Sequence, residues 1–154
     1  MTARELREEI GIELDALQTT VNELLALQRD LSERTPTLRE KTAAAAFMAQ
    51  FYNGVENILK RTSRHCGVAL PAGETWHVDR FQRFCLPSHP DLPVLFDARL
   101  ALALAPYRRF RHIVFHGYGF QLDWDRMSEG VAGIQDVFLQ FEQSVAEYLR
   151  SIEA

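Results

Sequence analysis

The sequence predicts an all-α fold, an antiparallel four-to-five-helix bundle forming a single domain over residues 1–154. Three observations point to it. Apolar residues recur at spacings of three and four through most of the chain, the period of a helix with one buried face. No stretch of useful length alternates apolar and polar residues as a half-buried strand does. Prolines and glycines gather between the periodic stretches, where chain reversals belong. With 154 residues, 47% of them hydrophobic and 25% charged, the chain can bury a core without disulfides or a structural metal.

The elements follow in order. From Arg4 to about Ser32, Leu6, Ile10, Leu14, Leu17, Val21, Leu24, Leu25, Leu27 and Leu31 mark one apolar stripe. Thr35-Pro36 stops that helix and opens a second, with Pro36 expected in the first turn and Thr37-x-x-Glu40 offering a capping box. The second helix runs through "AAAAFMAQFYNGVENILKRTSRHC" and ends at Gly67. Pro71, Gly73, Pro87 and Pro90 then mark an irregular connector, with one short helix expected at "VDRFQRF". A third long helical region is expected from Pro93, kinked or split by Pro106. The last helix, from about Asp123, carries Met127, Val131, Ile134, Phe138, Phe141, Val145, Tyr148 and Ile152 on one stripe.

Several function classes drop out early. "LALALAPY" is cut by Pro106 long before it could span a membrane. The start, "MTARELREEIGIEL", is acidic and amphipathic and lacks a secretory core. Cys66 and Cys85 form no CxxC and suit free thiols, so a cytoplasmic protein is expected. Neither GxxxxGK[ST] nor GxGxxG occurs, and Cys66, Cys85, His65, His77 and His89 match no zinc spacing, so no cofactor is expected.

The net charge of −4 argues against indiscriminate nucleic-acid binding, but its distribution is uneven. Residues 60–112 hold 9 Lys/Arg against 4 Asp/Glu, while both flanks are acidic. "KRTSRH", "HVDRFQRF" and "YRRFRH" interleave cations with aromatics, a composition suited to phosphate contact and base stacking. Solvated helix faces would give the same charge pattern.

The stretch "RHIVFHGYGF", residues 111–120, concentrates the chemistry. On a helix with Phe110 at zero, Ile113, Val114 and Gly117 fall within about 60° and form the core-facing stripe. Arg111 and Tyr118 lie near 100° and 80°, roughly on one side, and His112 and His116 share a ridge near 200° and 240°. Phe115, near 140°, is left on an outer face, which suggests that another chain or a ligand covers it. His116 can serve as a general acid or base, since histidine titrates near neutrality. His112 and His116 have the spacing of two metal ligands on one turn, but no HExxH glutamate stands between them.

Arg111, four residues, His116, one residue and Tyr118 spell R-x4-H-x-Y. This resembles the signature of the HEPN superfamily, and specifically the HepT-like toxins of HEPN/MNT toxin–antitoxin systems. The resemblance extends to the helical architecture and to "FYNGVENILKRTSR" in the second helix, and covers nearly the whole chain. Its diagnostic part is eight residues long. One departure stands out: the residue after the arginine is commonly Asn in that family, and here it is His112.

The resemblance implies a metal-independent endoribonuclease toxin acting as a homodimer, with RNA as substrate. Arg111 would clamp phosphate and His116 would move protons, supported by His112 and by Glu56 or Asn57 on the second helix. It further implies an MNT-domain nucleotidyltransferase antitoxin (MntA-like) as partner, forming a hetero-oligomer and transferring AMP to Tyr118. Gly117 and Gly119 would keep the backbone there accessible. A non-catalytic helical bundle that docks a nucleotidyltransferase or binds nucleotides is the alternative.

Overall fold

The computed structural model describes residues 1–73, 76–116 and 122–153, the side chains of Trp76 and His77 excepted. Among these residues the chain forms α1 (Ala3–Leu31), α2 (Leu38–His65), α3 (Trp76–Gln82), α4 (Ala98–His116) and α5 (Trp124–Ser151), and no strand.

Both N-terminal helices start on reciprocal capping boxes. Thr2 Oγ1 accepts from the Glu5 amide while Glu5 accepts from the Thr2 amide, and Thr37 and Glu40 repeat the arrangement. The first of these boxes was not anticipated. Thr37 is the cap, so Pro36 lies just outside the helix, buried, rather than in its first turn. Arg34 adds two bonds of 2.7 Å to Glu40, and this partner with the Thr37 amide holds the Glu40 carboxyl pKa at about 2. α2 ends as the sequence predicts: Gly67 takes φ 71°, and the amides of Gly67 and Val68 return to Arg64 and Ser63.

α2 is the central element, packed against α1, α3, α4 and α5. Phe51, Tyr52, Val55, Ile58 and Leu59 bury its faces, with Phe51 edge-on to both Tyr107 of α4 and Phe138 of α5. Gly54 permits a close approach to α1, because a β-carbon there would overlap Leu17. The short α3 is tied down by stacking of Phe81 on Phe96, which in turn stacks on Phe141.

The third long helix begins at Ala98, not Pro93. The amides of Leu95 and Phe96 are spent on the Phe84 carbonyl, which holds 93–97 as a strap, and Asp97 Oδ1 then caps the Leu100 amide at 2.7 Å. Nor does Pro106 split the helix. Proline removes the bond to the carbonyl four residues back, but that residue is Leu102, 77% exposed, so water can satisfy the carbonyl. No helix among the described residues is long and apolar enough to cross a membrane.

Candidate functional site

The site is built on the C-terminal half of α4 where it lies along α2. Leu100, Leu104, Tyr107 and Phe110 form the buried stripe of α4. Tyr107 locks the register by donating its hydroxyl to the Gly130 carbonyl of α5 at 2.7 Å. With Phe110 pinned, the next residue is turned about 100° toward the flank of α2. That residue is Arg111.

Arg111 Nε donates to Asn53 Oδ1 at 2.6 Å and lies 3.1 Å from Glu56 Oε1. Nε carries one hydrogen, directed at Asn53, so the Glu56 contact is an ion pair without hydrogen-bond geometry. Glu56 is buried, and its other oxygen meets Arg80 Nη1 of α3, also buried, at 3.1 Å. One carboxylate therefore stands between two guanidiniums on different helices. Burial pulls the Arg80 pKa down and the Glu56 charge pushes it back up. Tyr52, one turn before Glu56, is buried with no hydrogen-bond partner for its hydroxyl among the described residues. Burial and then the Glu56 charge push that phenol upward, so it stays neutral.

The far side of the same helical turn is open. His112 and His116 are both exposed, with ring centroids 4.7 Å apart. Phe115 is 58% exposed, and the Arg111 guanidinium lies 5.1 Å from its ring centroid, over the π face. Arg108 sits over Phe81 in the same way. Val114, expected on the core stripe, is exposed instead. The last turn of α4 runs past the packed part of the bundle, and among residues 112–116 only Ile113 is even half-buried.

The structure thus joins Arg111 to Glu56 and sets His112 and His116 on the next exposed ridge. It does not bring Asn57 to them. The Asn57 amide donates to Glu13 of α1, in a clasp where Arg61 also binds Glu9 and Glu13. Of the two second-helix candidates, Glu56 meets Arg111, and the amide that bonds Arg111 is Asn53, one turn before Asn57. Two contributors were missed. Asn53 lies three residues before Glu56, on its face of α2, and that spacing was a usable signal. Arg80 had none, being 24 residues from Glu56 across an irregular connector. Gly117, Tyr118 and Gly119 lie outside the described residues.

Comparison with curated proteins gives no match, and comparison with solved structures gives none. A family profile described as HepT-like protein matches residues 43–152. The matched span takes in most of α2 and all of α3, α4 and α5, with Asn53, Glu56, Arg80, Arg111 and His116 inside it. The chain belongs to the HepT-like protein family.

Proposed function

We propose that the chain is the toxin of a toxin–antitoxin pair, a cytoplasmic endoribonuclease that cleaves RNA without a metal and works as a homodimer. The observation that carries this reading is Arg111, held by Asn53 and Glu56, on the same helix as the exposed His116. The polar contacts of Arg111 with Asn53 and Glu56 fall on Nε, and its terminal amino groups make no hydrogen bond among the described residues. Those groups can take the non-bridging oxygens of a phosphodiester and stabilise charge as the phosphorane forms. A histidine acting as base takes the proton of the 2′-OH as its oxygen attacks phosphorus. The bond to the 5′-oxygen breaks, and a histidine acting as acid protonates that leaving oxygen. The products are a 2′,3′-cyclic phosphate and a 5′-hydroxyl.

Along one helix, Arg111 and His116 diverge by about 140°, so a single copy addresses a phosphate poorly from both sides. Two copies of α4 around a two-fold supply two histidines and two arginines to one cleft, and cover Val114 and Phe115. Neutralisation follows from Tyr118: its phenol oxygen attacks the α-phosphorus of ATP held by an MNT-type nucleotidyltransferase, releasing pyrophosphate. The added AMP brings negative charge that repels RNA.

His116→Ala and Arg111→Ala should each abolish RNA cleavage and growth arrest while the protein stays folded. Cleavage should persist in EDTA and leave the cyclic phosphate. Full activity in either variant would overturn the assignment. After co-expression with an MNT-type nucleotidyltransferase, intact mass should show added AMP on the wild-type protein and none on Tyr118→Phe. Equal silencing of Tyr118→Phe by that partner would sink the modification mechanism.

A further inference from the structure

The two exposed imidazoles of α4 have a geometry that proton transfer alone does not require. His112 and His116 stand one turn apart, their ring centroids 4.7 Å from each other and their planes at 43°. Two imidazole nitrogens bound to one tetrahedral metal, each at about 2.0–2.1 Å, lie about 3.3 Å from one another. An i,i+4 pair already facing along one ridge reaches that spacing by rotation of exposed side chains, with no movement of the backbone. Imidazole nitrogen favours Cu²⁺, Ni²⁺ and Zn²⁺, whereas Mg²⁺ and Ca²⁺ prefer oxygen ligands. Among the described residues no group of three or more His, Cys, Asp or Glu gathers to hold a metal. Two positions therefore come from the chain and water completes the shell, which makes the site open and reversible.

We propose that His112 and His116 form a bidentate site for Cu²⁺, Ni²⁺ or Zn²⁺, and that filling it inhibits the protein. Binding stands on the geometry of α4, while inhibition rests on the ribonuclease reading above. A metal bound to His116 occupies the nitrogen lone pair that would accept the 2′-OH proton. The same nitrogen, once coordinated, has no proton to give the leaving oxygen. The metal is thus no cofactor here but a competitor with the proton.

The test uses the full chain, stripped with EDTA, dialysed, and titrated with ZnCl₂ by calorimetry and with CuCl₂ by electron paramagnetic resonance. One metal should bind per chain, with two nitrogens in the copper spectrum. His112→Asn should weaken binding on the order of 10²-fold, because it removes the effective concentration of the second ligand. His89→Ala should leave binding unchanged. Equal affinity in wild type and His112→Asn would overturn the site, as would displacement of zinc by excess Mg²⁺. In RNA cleavage, zinc should inhibit wild type at concentrations that fill the calorimetric site. His112→Asn, scaled to its own rate without metal, should need on the order of 10²-fold more. Filling without inhibition would overturn the inhibitory role. A wild-type protein that cleaves no RNA even without metal would remove that role together with the ribonuclease reading, and calorimetry would still decide the site.

Discussion

Arg111 Nε has one hydrogen and two oxygens beside it, and the division of labour between them has consequences. Asn53 takes the hydrogen bond and Glu56 supplies the opposite charge. Asn53 is half-buried and bonds Arg111, whereas Glu56 is buried and also holds Arg80. The two partners should therefore be separable by mutation. Asn53→Ala removes a hydrogen bond to a charged group, a contribution of about 1.5–3 kcal/mol. If Arg111 must be aimed for the reaction, kcat should fall roughly tenfold or more, with KM nearly unchanged and melting within a few degrees of wild type. A kcat within twofold of wild type would show that Asn53 does not position Arg111. Arg111 and His116 stood out in the sequence as a cation and a titratable ring within an apolar stretch, and Glu56 entered only through the resemblance of its segment to the family. Asn53 escaped notice because a neutral amide on a helix commonly faces water, and Asn57 has the same chemistry one turn later. Only the facing of α2 against α4 distinguishes the two, and facing is a tertiary property.

At the scale of the element, helical period and cap chemistry were readable, and backbone competition was not. The Thr37 box, the Gly67 reversal, the Asp123 start and the α5 stripe all rest on residues within a turn or two of one another. The start of α4 rests instead on the Phe84 carbonyl, which draws the amides of Leu95 and Phe96 away from a helix. Glycine within helices shows the same contrast. Gly133 of α5 has open space where a β-carbon would stand, whereas at Gly54 of α2 that carbon would overlap the buried Leu17. Both positions would gain about 1 kcal/mol of helix propensity from alanine. Gly133→Ala should keep most of it and unfold at higher denaturant. Gly54→Ala should lose it to overpacking of about 1–3 kcal/mol and unfold at lower denaturant. Stabilisation by Gly54→Ala would mean that α1 and α2 separate more readily than their packing implies.

For the whole molecule, the decisive property is the number of chains that make one site. The bundle buries a continuous core through all five helices, yet the turn of α4 bearing His112, Val114, Phe115 and His116 is left exposed. A bundle that leaves Phe115 58% exposed beside its chemical groups has a surface suited to a second copy. Sedimentation at micromolar concentration should give a dimer, and a monomer would remove the shared cleft. A dimer alone would not establish it, since two chains can pair and still act independently. Mixing separates the cases. Wild type and His116→Ala, denatured together at equal amounts and refolded, should pair at random. If each chain cleaves by itself, activity per total protein should be about half that of wild type. If one cleft needs an imidazole from each chain to serve as base and acid, only wild-type pairs cut, and activity should be about a quarter. Across other ratios the shared cleft predicts a quadratic dependence on the wild-type fraction. A straight line through the origin would assign a complete site to each chain and overturn the two-fold mechanism, even in a protein that is dimeric and cleaves RNA.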